Sequence, residues 1–288
     1  MVEISAATVM KLRKMSGQGM MDCKAALGES NGDMNKAVEI LRKKGFATLA
    51  KRAERETSEG LVVSKTSSDG KVAVLATLCC ETDFVAKSDD FIAAADRLAD
   101  YALACAESDG AANVLKASIN GRAYNDVLNE VVSKTGEKIQ VGDYVKYKLA
   151  GPGLISVYVH FNKKVGTMLQ IETGDDKTGG ADILKKTAAD IAMHITATKP
   201  LALDKAGISA EIIEQEKSIA AAQIKNKPAN IVDKIVEGKI NKFFADNCLL
   251  SQPFVKDDSK SVAEILSQAA KEAGGQAKIT KFVRFGVG

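Results

Sequence analysis

The sequence predicts an α+β protein: a small three-helix unit, a two-part mixed core and an inserted helical hairpin. Three observations predict it. Apolar residues recur at helical spacing through the first 45 residues. From Gly60 the pattern changes to short β-rich runs alternating with long helices. That second pattern then occurs twice, which argues for two related halves. At 288 residues the chain is long enough for one large domain or two to three small ones.

Ser5 is placed to cap a first helix that carries Val9, Leu12 and Met15 along one face. Ser16-Gly17-Gln18-Gly19 breaks it. A second helix carries Met20, Cys23, Ala26 and Leu27 and ends at Asn31-Gly32. Asp33 caps a third, with Met34, Ala37, Val38 and Leu41 inward and Gly45 as its stop. Residues 46–59 mix Lys51, Arg52 and Arg55 with Glu54 and Glu56, and read as a solvated helix or linker. The interleaved acids argue against RNA contact there. A first domain over 1–55 follows.

Leu61 to Thr66 and Lys71 to Leu78 are strand-like around Ser68-Asp69-Gly70, a hairpin signal. Ser88 or Asp89 opens a long helix with Phe91, Ala95, Leu98, Ala102 and Cys105 on one side. A helix over about Tyr124 to Ser133 completes a first core half, 56–145. Strands at Tyr144 to Leu149, Ile155 to Phe161 and Thr167 to Glu172 precede a helix from about Asp182 to Thr196, which ends before Lys199-Pro200. The repeat is read from Leu78-Cys79-Cys80-Glu81-Thr82 against Leu169-Gln170-Ile171-Glu172-Thr173 (172 − 81 = 91). It continues with Leu98-Ala99-Asp100-Tyr101-Ala102 against Ala188-Ala189-Asp190-Ile191-Ala192 (190 − 100 = 90).

Residues 201–249 hold two helical stretches, Ala210 to Lys225 and Ala229 to Asp246, split at Lys227-Pro228. Ile212 and Ile219 stand seven apart, as do Ile224 and Ile231, and Val232, Ile235, Val236, Ile240 and Phe243 mark the second stretch. Two antiparallel helices would protrude as a hairpin whose outer flank either joins a second copy or is wetted. Val262, Ile265, Leu266 and Ala269 mark a last helix, and Lys278 to Phe285 reads as a strand returning to the second core half, 146–200 and 250–288.

Composition narrows the function. A net charge of +3 gives no basic footprint for nucleic acid. Five scattered cysteines, an odd count without a Cys-x-x-Cys pair, suit a reducing compartment and give no zinc pattern. Met1-Val2-Glu3-Ile4-Ser5 lacks a signal peptide, and no apolar run reaches membrane-spanning length. No phosphate-binding loop, His-Glu-x-x-His pair or nucleophile triad is present. The expectation is a cytoplasmic protein that is not an enzyme and holds no cofactor or metal.

Two features stand out. Gly19-Met20-Met21 sets two large apolar residues at a helix start. Either Met20 packs and Met21 is a stray surface residue, or the pair forms an apolar patch for a partner. Glu81-Thr82-Asp83-Phe84-Val85-Ala86-Lys87 follows a strand directly, and the second repeat has no aromatic at that place. Phe84 either protrudes as a contact or plugs the core beneath the helix.

These same residues resemble the elongation factor Ts family. Leu12-Arg13, Gly17-Gln18-Gly19-Met20-Met21-Asp22-Cys23-Lys24-Ala25-Ala26-Leu27, Asn31-Gly32-Asp33 and Thr82-Asp83-Phe84-Val85-Ala86-Lys87 carry the likeness. Ile191-Ala192-Met193-His194, Val236-Glu237-Gly238-Lys239 and Gln252-Pro253-Phe254-Val255 extend it in family order. The resemblance implies a ubiquitin-associated-like domain at the start, an inserted antiparallel coiled coil over 201–249, and elongation factor Tu as the partner. It implies that Asp83 and Phe84, with Thr82 and Val85 beside them, wedge into that GTPase near its magnesium and promote GDP release. Leu12, Met20, Met21 and Lys24 are implied to hold another helix of the same domain, and His160 and Val255 to make further contacts.

There are departures. His160-Phe161-Asn162-Lys163-Lys164-Val165-Gly166 replaces a shorter His-Gly turn, Lys256 replaces an apolar residue, and Thr135 sits where some relatives have Ile. A contact made by the extra C-terminal helix of longer members is expected to be absent or replaced. A bacterial cytosol fits better than a mitochondrial matrix. The rival class is a binding module without exchange activity, and an enzyme would need a nucleophile or base that the sequence does not offer.

Overall fold

The computed structural model describes residues 4–16, 18–51, 54–224 and 229–288. Met1, Val2, Glu3, Gly17, Arg52, Lys225 and the Lys227-Pro228 break, all used above, lie outside the described residues.

α1 (Ala6–Ser16) opens where the Ser5 hydroxyl accepts the Thr8 N–H at 3.2 Å. α2 (Met20–Glu29) ends in a left-handed turn at Asn31 and Gly32 (φ 53° and 86°). Asp33 Oδ1 then accepts the N–H groups of Asn35 and Lys36, the capping bonds that start α3 (Met34–Lys51). Val9, Leu12, Cys23, Ala26, Leu27, Ala37 and Leu41 make a core of their own. The expected stop at Gly45 is wrong, because α3 continues through it to Lys51. A glycine inside a helix costs only about 1 kcal/mol, which the packing of α3 along a core helix (α7, below) offsets.

β1 (Glu59–Thr66) and β2 (Val72–Cys80) form the expected hairpin, in register from Glu59↔Cys80 to Thr66↔Ala73. A one-turn helix, α4 (Asp83–Ala86), leads into α5 (Asp89–Ala104), which Ser88 caps. α6 (Ala111–Lys116) and a two-residue ladder of β3 (Ser118–Ile119) and β4 (Arg122–Ala123) precede α7 (Tyr124–Thr135). β5 (Ile139–Lys148) begins five residues earlier than its sequence suggests and completes a sheet of order β1-β2-β5.

The second half runs β6 (Gly153–Val159), β7 (Val165–Thr173), α8 (Asp176–Gly180) and α9 (Asp182–Thr198). Then come α10 (Ala210–Ala222) and α11 (Ala229–Asn247), a ladder of β8 (Pro253–Phe254) and β9 (Asp257–Ser261), α12 (Val262–Glu272) and β10 (Ala277–Gly286). β10 returns to β7, giving order β6-β7-β10. α10 and α11 pack through Ile213, Val236, Ile240, Phe243 and Phe244, while Ile212 and Ile219 are exposed.

The two sheets pack against each other through Val62, Ala73, Leu75, Tyr147 and Met168. Their outer faces are covered by α5 and α7 on one side and by α9 and α12 on the other. β2 is therefore buried on both faces, which is why Val72 to Cys80 reads as one apolar run rather than an alternation.

The two halves share an element order, at a spacing two to three residues longer than the sequence match suggests. Gly60, the second residue of β1, and Gly153, the first of β6, are 153 − 60 = 93 apart, as are the caps Thr82 and Asp175 and the helix starts Asp89 and Asp182. At that spacing the buried set Phe91, Ala94, Ala95, Leu98, Ala99, Tyr101, Ala102 maps onto Leu184, Thr187, Ala188, Ile191, Ala192, His194, Ile195. The shorter spacings come from a common Glu-Thr pair in one segment and an Ala-Asp-x-Ala run in the other. In the corrected register Phe84 falls opposite Lys177, so the second half still lacks the aromatic.

Gly60 and Gly153 share one constraint. Both have φ near 155° (155° and 153°), and a Cβ would lie 2.1 Å from Leu78 O or 2.2 Å from Ile171 O. Gly60→Ala and Gly153→Ala are expected each to lower stability by about 1–3 kcal/mol, read as a drop in the urea midpoint. Gly121→Ala, with open space around it but φ at 77°, should cost less.

Candidate partner-binding site

The site begins where β2 ends. Cys80 is buried, and its Sγ lies 3.2 Å from Thr82 O. Burial, with the Glu137 carboxylate adding to it, pushes this thiol up to about 12, so it stays protonated and able to donate. Glu137, just ahead of β5, takes Thr82 with both oxygens. Thr82 N–H donates to Oε2 at 3.1 Å and its hydroxyl donates to Oε1 at 2.6 Å. The same hydroxyl oxygen accepts Val85 N–H at 3.4 Å and caps α4. Glu81 pairs with Arg55 at 2.9 Å and accepts Lys138 N–H at 2.6 Å. The turn is thus held by Glu137 and Lys138, more than fifty positions away, and by Arg55, 26 positions away.

On this base α4 makes one turn. Ala86 is buried and Val85 packs against the first core, so Asp83 and Phe84 point outward. Phe84 is 83% exposed. It is therefore not a core plug. Lys87 Nζ sits 2.7 Å from Asp83 Oδ2. That ammonium holds the Asp83 carboxyl below its usual range, and the same contact raises Lys87. Asp83 is therefore ionised throughout the neutral range. Ser88 closes the segment, donating to Val85 O at 2.8 Å and accepting Phe91 N–H at 3.4 Å.

The β6–β7 turn lies at the same end of the sheets. Lys163, left-handed at φ 54°, offers its carbonyl to Val62 N–H at 2.7 Å, and Lys164 pairs with Glu59, the residue opposite Cys80. His160 is half-buried; Tyr158 Oη lies 2.9 Å from its Nδ1, and its ring centroid is 4.4 Å from that of Phe161. Phe161 is 89% exposed. The sequence reading ends a strand at Phe161, but β6 stops at Val159 and Phe161 lies in the turn, displayed rather than packed.

The remaining candidates sit on other elements. Met20 and Met21 on α2 are 47% and 75% exposed, and Lys24 is exposed beside them. Cys23, Ala26 and Leu27 fill the inward positions, so neither methionine packs. Leu12 is a correction: it is fully buried in the three-helix core and offers no surface. Val255 is exposed just after buried Phe254. Among the described residues no group of three or more His, Cys, Asp or Glu could hold a metal, and no helix is long and apolar enough to cross a membrane.

Residues 81–288 match the family model described as Elongation factor TS. The match starts at the first residue of the pinned turn. Elongation factor Ts of Nitratiruptor sp. is 44% identical over 287 residues, 99% of this chain and 93% of the relative. The chain belongs to the elongation factor Ts family. The protein of that name from Alkalilimnicola ehrlichii is 40% identical over 99% of this chain and 92% of its own length, and that from Clostridium perfringens is 40% identical over 98% and 92%. These full-length matches carry α1 to α3 into elongation factor Ts as well, although the family model begins after them.

The Glu137 cradle has a measurable role. Thr82→Val removes the cap and one Glu137 bond and should cost about 1–2 kcal/mol. Hydrogen exchange should quicken at Val85 while the amides in the middle of α5 keep their protection. Unchanged exchange at Val85 would mean that α4 is held by its apolar contacts alone.

Proposed function

We propose that the chain is a guanine nucleotide exchange factor of translation elongation, which binds elongation factor Tu with GDP and promotes GDP release. Family membership supports the partner. The observation that carries the mechanism is Phe84, an exposed aromatic on a single helical turn whose base is pinned by Glu137 and Glu81. An aromatic held in place before binding loses little entropy on docking, which is what an interface anchor needs.

In this reading Phe84 and Asp83 enter the GTPase near its Mg²⁺, with Thr82 and Val85 as their frame. GDP is held by phosphate contacts and the bridging metal, so disturbing that site removes much of the binding energy. A factor that prefers the nucleotide-free GTPase weakens nucleotide by the same factor, by linkage. This chain hydrolyses nothing, and GTP fills the site by its concentration. The protein is then no enzyme, binds no nucleic acid directly, and works in a bacterial cytoplasm.

Met20, Met21 and Lys24 on α2 form a second docking patch, with His160 and Val255 as further contacts. The division into a ubiquitin-associated-like domain (1–55), core halves (56–145; 146–200 with 250–288) and an inserted coiled coil (201–249) belongs to the same proposal. Ile212 and Ile219 are the flank through which a second copy would join.

Release of a fluorescent GDP analogue from elongation factor Tu tests the core of it. A core Phe→Ala change would cost about 3–5 kcal/mol, whereas an exposed one should fall within about 0.5 kcal/mol. Phe84→Ala should therefore melt near the parent yet accelerate GDP release far less, and added Mg²⁺ should suppress its residual activity more. Early unfolding with normal exchange by the folded fraction would rule the wedge out.

Met21→Asp addresses the second patch. Partner binding should weaken while helical circular dichroism stays unchanged. A parallel loss of helix signal would assign Met21 to the fold instead.

A further inference from the structure

His194 is fully buried on α9, and both of its ring nitrogens are engaged. Val255 N–H reaches Nδ1 at 3.2 Å, and Nε2 lies 2.9 Å from Gln252 Oε1. The backbone N–H can only donate, so Nδ1 must be unprotonated and Nε2 carries the hydrogen. The Gln252 amide agrees in orientation. Its Nε2 donates to Asp246 O at 2.7 Å near the end of α11, leaving Oε1 for the imidazole and for Thr198 Oγ1 at 3.0 Å. One tautomer thus ties together α9, the end of α11 and the segment that displays Val255.

We infer that His194 is a positioning residue for Val255: its unprotonated Nδ1 fixes the Val255 backbone, and protonation of the imidazole releases it. The inference rests on the reading of Val255 as a partner contact only for its functional consequence, because the hydrogen bond itself is independent of any partner. His194⁺ has a proton on both nitrogens, so Nδ1–H would confront the Val255 N–H, two donors face to face. Burial lowers the imidazole below its ordinary value, with the Gln252 bond opposing that shift.

No charged group adds to the shift of the imidazole, which burial and the Gln252 bond set between them. Asp190, one turn earlier on α9, is paired with Lys256 at 2.7 Å. From the 252–255 segment come the Gln252 amide and the Phe254 ring, its centroid 5.8 Å from the imidazole. From α11 comes the Asp246 carbonyl, through Gln252. The sign follows. The unfolded chain takes up the proton near 6.5 and the folded one at lower pH, so this site withdraws stability as pH falls below about 6.5.

Two measurements on the full chain test this without any substitution. Histidine ¹⁵N spectra at pH 7.5 should show His194 as the Nε2–H tautomer. Exchange at the Val255 amide, corrected for intrinsic pH dependence, should quicken about tenfold between pH 7.5 and the acid side of the His194 titration, while amides in the middle of α9 stay protected. His194→Phe should show the fast exchange at every pH. An Nδ1–H tautomer, a flat Val255 profile, or loss of protection only with global unfolding would overturn the inference. If Val255→Ala binds elongation factor Tu like the parent, the contact reading fails, and the tautomer and exchange results still decide the role of His194.

Discussion

Val62, Ala73, Leu75 and Tyr147 of one sheet meet Met168 of the other, and this contact commits both sheets to having two buried faces. Each sheet then needs helices on its outer side, and α5, α7, α9 and α12 supply them with Ala, Leu, Val and Ile at helical spacing. With both faces of the core strands buried, the exposed side chains that the strands themselves offer lie at the strand ends and connecting turns. The Thr82–Lys87 turn and the His160–Val165 turn both lie at such an end, joined there through Glu59 and Cys80.

Rigidity at that rim comes from polar groups, because there is little apolar surface left to bury. Glu137 holds Thr82 with two bonds, and Glu81 accepts Lys138 N–H. A carboxylate accepting from a backbone N–H makes one of the stronger hydrogen bonds available. That is how α4, far too short to be stable by propensity, can present Phe84 in a fixed direction.

The two halves follow the same plan with different side chains. Thr82 and Asp175 both cap a one-turn helix by accepting the N–H three residues on, yet the first turn displays Phe84 and the second Lys177. Inside, Tyr101 packs its ring 5.3 Å from Tyr124, while its counterpart His194 binds the chain segment leading to Val255. The strand and helix geometry is repeated between the halves, while the side chains at these matched positions differ.

Periodicity by itself determined the α+β class, the long helices, the β1–β2 hairpin and the caps at Ser5 and Asp33, because each depends on residues close in sequence. The motif at Thr82 to Lys87 and the Met20-Met21 pair were also legible, as residues that local packing does not account for. Tertiary structure decided the rest. α4 and α6 are shorter than any periodic window, and Gly45 is carried through a helix that packs along α7. The 93-residue register of the repeat is visible only in the paired strands and matched buried faces. Whether Phe84 faces out and Leu12 faces in depends on Glu137, Val85 and the three-helix core. The partners that fix these directions lie on other elements, and no local pattern records which distant residues will meet.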